Sequence, residues 1–188
     1  GFASGMPLAL CSTTLTAWMV TEGIDIRTIG LYSLVGLPYA LKFLWSPLMD
    51  RYVPPFLGRR RGWMLITQLA LIGAITAMGF CNPASRPVMV AFLAVGLAFF
   101  SASQDIVLDA YRTELLAPAE RGAGAGVWIM GYRLAILISG ALALILSDHL
   151  SWKAVYIIMG AVMAGGCIAT LLAPEPLTDP SRGQRVEP

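Results

Sequence analysis

The sequence predicts an all-α membrane protein that crosses the lipid bilayer several times. Hydrophobic residues make up 57% of the chain and charged residues only 13%, whereas an ordinary soluble domain carries roughly 25% charged residues. The mean hydropathy is correspondingly high, at +0.71. Six mostly apolar runs follow one another along the chain, each close to the length of about 20 residues that a helix needs to span a bilayer.

The six predicted helices occupy nearly the whole chain and are separated by short polar or Pro- and Gly-rich breaks. They cover residues 1–20, 28–49, 63–80, 88–116, 123–146 and 154–172. Connections this short force neighbouring helices to run antiparallel, as in a helical bundle. We therefore predict a six-helix membrane domain over residues 1–173. Residues 174–188 are polar and rich in Pro, which is typical of a flexible linker or tail.

Arginine and lysine are distributed unevenly between the two sides of the predicted bundle. Eight of the thirteen lie at or beyond the ends of the second, fourth and sixth helices, three lie on the opposite side, and two lie inside helices. Cytoplasmic loops of membrane proteins carry an excess of Lys and Arg. We therefore expect the basic side, including the tail, to face the cytoplasm.

The composition disfavours several other function classes. The formal net charge is only +2, too small to steer the molecule toward nucleic acid. The cysteines lack ligand-like spacing, and the single histidine, His149, lies in a predicted outer loop. The Gly-rich run at residues 122–126 is not followed by the Lys-Ser/Thr pair of a phosphate-binding loop. We therefore expect no enzyme active site, no metal and no cofactor.

Four charged residues fall inside the membrane-embedded parts of the predicted helices: Lys42, Asp105, Asp109 and Arg133. The inner end of the long fourth helix is expected to project past the lipid. A charge at the bilayer centre costs at least about 2.5 kcal/mol on insertion scales, so such a residue usually faces a partner or a water-filled cavity. Ser101 precedes the first aspartate by four residues, which places it on one helix stripe with both aspartates. This stripe is predicted to face away from lipid.

Asp105 and Arg133 lie equally far from the turn between the fourth and fifth helices, and an antiparallel hairpin puts them at similar depth. We therefore hypothesise that they form an ion pair across these helices. Lys42 would add a polar group from the second helix, together with Tyr39 and Ser46. The alternative is a static ion pair that only holds the bundle together, because buried ions persist mainly when paired. Under the functional interpretation, the two aspartates carry protons.

The loop after the second helix, residues 46–63, reads SPLMDRYVPPFLGRRRGW and resembles the major facilitator signature G-x-x-x-D-R-x-G-R-R. Ser46 replaces the first Gly of that signature, and extra residues stand around Pro54. The resemblance implies a cytoplasmic gate in which Asp50 caps a helix of the other half of the protein and Arg51 pairs with an acid on the fourth helix, with Asp109 as the candidate. A basic loop that only sets the orientation is the alternative. The implied gate residues are Asp50, Arg51, Gly58, Arg59, Arg60 and Arg61.

Four further segments extend the resemblance over nearly the whole chain. They read SASQDIVLDAYR at residues 101–112, ERGAGA at 120–125, GYR at 131–133 and LAPEP at 172–176. Together with the loop they look like the AmpG muropeptide permease family of major facilitators. The candidate residues for a substrate and proton pathway are Tyr39, Lys42, Ser101, Gln104, Asp105, Asp109 and Arg133.

That resemblance implies a proton-driven importer of anhydromuropeptides, the GlcNAc-anhydroMurNAc peptides released from the cell wall. It implies transport across the inner membrane of Gram-negative bacteria for peptidoglycan recycling, with an indirect effect on beta-lactamase induction. It also implies that the binding site forms between two six-helix halves, of which this chain supplies the first. Sugar rings could stack on exposed aromatic side chains, although interfacial or packing positions are the alternative for each. The candidates are Trp18, Tyr39, Trp128 and Tyr132.

Two rival functions remain open at the level of sequence. The first is another major facilitator carrier, such as a drug antiporter or an acetyl-CoA-type carrier, although the fifth helix lacks the Gly-Pro pair usual in such exporters. The second is a membrane scaffold or sensor half that binds a partner without transporting anything.

Overall fold

The computed structural model describes residues 1–176, and the regular elements in that part of the chain are all helical, which confirms the predicted all-α class. The α-helices are α1 (Phe2–Ala9), α2 (Leu15–Thr21), α3 (Ile26–Leu31), α4 (Leu37–Leu41), α5 (Ser46–Arg51), α6 (Arg59–Gly79), α7 (Pro87–Leu115), α8 (Arg121–Ile136), α9 (Ala143–Ser147) and α10 (Trp152–Leu172). Four helical stretches are long and apolar enough to cross a membrane: α6, α7, α8 continued through α9, and α10.

The first predicted helix is continuous but contains a π-helical turn, Leu10–Thr14, between α1 and α2. A second π-helical turn, Leu137–Leu142, joins α8 to α9. The two turns meet, because the buried Thr14 hydroxyl donates to the Ser139 carbonyl oxygen at 2.6 Å. A π turn disrupts the regular ladder of helix hydrogen bonds, and in a membrane the freed backbone groups are satisfied by Ser and Thr side chains of neighbouring helices.

The second predicted helix, residues 28–49, is instead broken into short pieces. Two 3₁₀ turns, Tyr32–Gly36 and Lys42–Leu44, separate α3, α4 and α5. Pro38 and Pro47 lie in the first turns of α4 and α5, where a proline ring fits but cannot continue a preceding helix. The uninterrupted span predicted for this segment is therefore wrong.

Asp25 caps the start of this broken segment. Its carboxylate accepts hydrogen bonds from the hydroxyl of Thr28 at 2.6 Å and from the backbone N–H of the same residue at 2.9 Å. These two bonds hold the pKa of the Asp25 carboxyl below its usual range. The carboxylate therefore stays charged at neutral pH and stabilises the N-terminus of α3 as its N-cap.

The bundle core lies where α6 packs against both α7 and α10 and where α1 packs against α8. Trp18 is only 3% exposed and stacks on Trp152 with ring centroids 5.7 Å apart. The hydroxyl of the fully buried Tyr156 donates to the carbonyl oxygen of Leu10 at 3.1 Å. Trp18 is therefore a core residue, which agrees with the packing alternative and leaves it unavailable to stack on a sugar ring.

Gly79→Ala is expected to destabilise the contact between α6 and α10. A methyl group at this position would lie 2.9 Å from Cβ of Tyr156 and 3.1 Å from the carbonyl oxygen of Lys153. Overpacking of this kind costs about 1–3 kcal/mol, measurable as a lower melting temperature of the purified protein in detergent. Gly73→Ala in the same helix is the matched control, since the added methyl group would meet no heavy atom of the described chain within 4 Å. Equal losses from both variants would contradict the close packing at Gly79.

Candidate functional site

A group of buried polar side chains lies where α1, α4, α7 and α8 approach one another. Each carries at least one buried nitrogen or oxygen atom that has no hydrogen-bond partner among residues 1–176. We call this group the central cluster. It consists of Ser4, Tyr39, Ser101, Gln104, Asp105 and Trp128.

The spacing along α7 explains why three members of the central cluster share one face. Ser101, Gln104 and Asp105 lie three and four residues apart, so they follow one stripe of the helix. The first two are fully buried. Tyr39 reaches this stripe beside Ser101, and Ser4 of α1 lies beside Asp105. Of the predicted stripe of Ser101, Asp105 and Asp109, the first two lie in the central cluster, whereas Asp109 is half-exposed and pairs with Arg112.

Unpaired polar atoms give the central cluster its chemical character. A buried donor or acceptor without a partner costs about 1–3 kcal/mol, so such groups in a native protein are normally satisfied by water or by a ligand. Gln104 leaves both its amide oxygen and its amide nitrogen unpaired. The cluster can therefore both donate to and accept from a polar ligand.

The predicted ion pair between Asp105 and Arg133 is not among the ion pairs of the described residues. Arg133 is exposed, while Tyr132, one position earlier, lies near Asp105. Successive residues on an α-helix point about 100° apart, so Arg133 faces a different direction. The equal depth of the two residues was not enough to make them neighbours.

The other two charges inside the helices, Asp109 and Lys42, each lie near a residue of opposite charge. Asp109 forms an ion pair of 3.3 Å with Arg112 one turn further along α7. Lys42, at the start of a 3₁₀ turn, lies near Asp105. The arginine paired with Asp109 also lies over the ring of Trp128, 5.0 Å from its centroid.

Trp128 and Tyr132 form a stacked aromatic pair on α8, with ring centroids 5.3 Å apart and planes inclined by 16°. The indole nitrogen of Trp128 belongs to the central cluster. Of the four aromatic residues considered from the sequence, these two and Tyr39 lie at the cluster, whereas Trp18 does not.

A second polar site lies at the opposite end of the broken helix and is built around Arg60. The side chain of Arg60 is only 7% exposed, and its guanidinium Nη1 lies 2.7 Å from Oδ1 of Asp50. Its Nε donates to Oε2 of Glu114 at 3.0 Å, and Arg59 also pairs with Glu114 at 3.3 Å. One arginine therefore ties α5, α6 and α7 together.

This arrangement corrects the pairing implied by the loop signature. Arg51 is exposed, and the expected pair between it and Asp109 is not among the ion pairs of residues 1–176. Asp109 is engaged by Arg112 instead, and Asp50 by Arg60. The extra residues around Pro54 lengthen the loop, so that α6 begins at Arg59 and presents Arg60 to both acids.

Glu175 fastens the chain after α10 to the start of α6. Its carboxylate accepts hydrogen bonds from the backbone N–H groups of Arg60 at 2.9 Å and Arg61 at 3.1 Å, which are unpaired donors of a helix N-terminus. Arg61 in turn donates to the carbonyl oxygens of Thr170 and Leu171 at the end of α10. Each charge lies at the helix end that its sign favours.

Gly58 completes this contact because it allows the carboxylate to approach. Its φ of +82° lies in the left-handed region, and a Cβ there would meet Cδ of Glu175 at 2.6 Å. The hydroxyl of Tyr111 donates to the carbonyl oxygen of Pro174 at 2.8 Å. The first residues of the predicted linker therefore contact the bundle, while residues 177–188 lie outside the described residues and their flexibility stays a prediction.

Sequence reasoning missed Glu114 and Glu175 in the Arg60 site, and Ser4 in the central cluster. An acidic residue in the last turn of α7, next to a loop with three consecutive arginines, was a usable signal for Glu114. Ser4 lies in an apolar run without any pattern that would distinguish it from a packing residue. Within the described residues, no group of three or more His, Cys, Asp or Glu side chains is placed to hold a metal ion.

Glu114→Gln is expected to destabilise the protein by about 1.5–3 kcal/mol, the range for hydrogen bonds to charged groups. The variant leaves the largely buried Arg60 with a single carboxylate partner. Melting temperature in detergent measures the change. Glu120→Gln is the control, because Glu120 is exposed and accepts from the backbone N–H of Ala117, a bond that an amide oxygen preserves. A melting temperature no lower than that of the control would contradict the central place of Glu114.

Glu175→Ala is expected to open the N-terminus of α6. Loss of a capping side chain costs roughly 1 kcal/mol, so the amide hydrogens of Arg60 and Arg61 should exchange with solvent several-fold faster. Hydrogen-exchange mass spectrometry of the peptide that contains them measures the effect. Peptides from the middle of α6 serve as the internal reference, and unchanged exchange at the N-terminus would show that the carboxylate is not a cap.

Comparison with known proteins agrees with this architecture. The model of the Major Facilitator Superfamily matches residues 1–188. The chain is 60% identical over 177 residues to the anhydromuropeptide permease of Escherichia coli K12, covering 94% of this chain and 36% of that protein. It is 35% identical over 167 residues to the putative transporter AmpG 1 of Rickettsia prowazekii, covering 87% of this chain and 38% of that protein.

The chain thus spans little more than a third of the length of these curated relatives. Its membrane-capable helices and a family match over every residue support a multi-pass membrane protein. The chain belongs to the Major Facilitator Superfamily.

Proposed function

We propose that this chain forms the first six-helix half of a carrier that imports anhydromuropeptides by proton symport. The observation that carries the proposal is the central cluster, a set of unpaired buried polar groups in the middle of apolar helices. Polar groups inside a bilayer are costly, so those that are present usually mark a substrate or proton pathway. The 60% identity to an anhydromuropeptide permease indicates the solute.

The chemistry of the central cluster suits a sugar linked to a peptide. Hydroxyl groups of Tyr39 and Ser101, and the amide of Gln104, match the hydroxyl and amide groups of such a solute, since each can both donate and accept. The stacked pair of Trp128 and Tyr132 offers an aromatic face beside these groups. We infer binding and transport rather than catalysis.

Protons would couple to transport through the carboxylates of α7. Oδ1 of Asp105 is buried without a hydrogen-bond partner among residues 1–176, whereas Asp109 is half-exposed and paired with Arg112. Asp105 forms no ion pair among residues 1–176, and a buried carboxylate without an ion-pair partner costs more than its neutral form. Protonation of Asp105 would therefore ease the passage of the carrier through a closed state, and Asp109 is the second candidate.

Alternating access requires a gate on one side and a second bundle to close against. The Arg60 site, which joins three helices to the start of the tail, would be the gate on the cytoplasmic side of the inner membrane. A second six-helix half of the same transporter would supply the opposing wall, as in carriers built from paired repeats. Delivery of muropeptides to the cytoplasm would serve peptidoglycan recycling and, indirectly, beta-lactamase induction.

Asp105→Asn is expected to abolish uptake driven by an inward proton gradient while leaving counterflow exchange of the solute in place. The complete transporter is reconstituted in liposomes, and entry of radiolabelled anhydromuropeptide is measured with and without the gradient. Asp109→Asn is tested in parallel and should reduce uptake less. Asp148→Asn is the control, because Asp148 is an exposed carboxylate in a loop. Full gradient-driven uptake by both the Asp105 and the Asp109 variants would contradict proton coupling through these carboxylates.

A further inference from the structure

Arg133 is an exposed cation near the midpoint of a membrane-capable helix. The helical stretch runs from Arg121 to Ser147, and Arg133 lies about 18 Å from its first residue and about 21 Å from its last at 1.5 Å per residue. An arginine side chain is too short to reach either interface from that depth. The guanidinium must therefore find an anion or water inside the membrane.

The surface around Arg133 is apolar and the described chain supplies no counter-ion. Ile129, Met130 and Leu137 share its stripe of the helix, and all three are exposed. Arg133 forms no ion pair with any residue among residues 1–176. A counter-ion for Arg133 would therefore come from outside residues 1–176.

The remaining charges in the middle of the bundle are compensated locally. Asp109 pairs with Arg112 at 3.3 Å, and Asp105 lies near Lys42. One positive charge, that of Arg133, is left over. Lipid phosphates lie at the interfaces, out of reach of the Arg133 guanidinium. A carboxylate that enters the bundle is an anion that could pair with it.

We propose that Arg133 binds a carboxylate of the peptide portion of the transported solute, an inference that rests on the proposed function. A peptide carries at least its terminal carboxylate, and a guanidinium binds carboxylates through two parallel hydrogen bonds. Arg133 is the next residue after Tyr132 but points about 100° away from it around the helix, so the peptide of a solute whose sugar lies at the central cluster would extend around α8 to reach the guanidinium. The arginine also offsets the repulsion that an anionic solute meets near Asp105 and Asp109.

The experiment compares two solutes and three proteins in reconstituted liposomes. The solutes are a radiolabelled anhydromuropeptide and the same compound with its peptide carboxylates converted to methyl esters. The proteins are the complete wild-type transporter and its Arg133→Gln and Arg133→Lys variants. Arg86→Gln is the control for loss of a cation, because Arg86 is exposed at the start of α7.

Arg133→Gln is expected to raise KM for the free acid by about 10- to 100-fold, as for loss of a charge-assisted contact, and to leave KM for the ester unchanged. Arg133→Lys should fall between, because lysine keeps the charge but not the paired geometry. The ester also reports folding, since a variant that transports it normally is intact.

Three results would overturn the inference. An equal loss for acid and ester would show that Arg133 does not recognise the carboxylate. Loss of folded protein in both the Gln and the Lys variants would show that Arg133 has a structural role instead. Unchanged KM for the acid would show that Arg133 does not contact the solute. If the wild-type protein takes up neither compound, the proposed function itself fails. That failure is distinguishable from failure of the inference, because the inference is tested only when the wild-type protein takes up the free acid.

Discussion

Polar groups inside a lipid bilayer must be satisfied by the protein, because hydrocarbon offers no hydrogen bonds. The α-helices of this chain meet that requirement for their backbone. At a departure from α geometry, a side chain can donate a hydrogen bond to a backbone carbonyl group. The bond from Thr14 to the carbonyl oxygen of Ser139 is the example, since it joins two π-helical turns in different helices. The same constraint makes each unpaired polar side chain in the interior a feature that requires an explanation.

The long helix α7 connects the two sites of the chain. Asp105 belongs to the central cluster and Glu114 to the Arg60 site, and nine residues of continuous helix separate them, about 14 Å. A continuous helix transmits rotation and displacement with little bending. A displacement of α7 at Glu114 would therefore also move Asp105, which would couple the two sites if they act as the proposed gate and proton carrier.

The broken second helix gives the bundle a different property. Its short pieces hold Tyr39 and Lys42 near the stripe of α7, while the last piece, α5, carries Asp50 into the Arg60 site. Breaks at Pro38 and Pro47 leave backbone groups outside a continuous ladder. This segment thus reaches both sites, because its breaks let its pieces take different directions.

The sequence by itself determined the all-α class, the positions of the long helices and the depth of each charge, because hydrophobic run length and the cost of burying charge act locally along the chain. It also indicated that Ser101 and Asp105 share one stripe of the fourth helix, since helical periodicity is a local property. Only the tertiary structure decided which charges meet. Depth placed Arg133 beside Asp105, but the rotation of α8 about its axis, fixed by its packing on α1, turned it away. Likewise only the tertiary structure shows that Arg60, rather than Arg51, pairs with both Asp50 and Glu114, because the direction of a side chain depends on how its helix is packed.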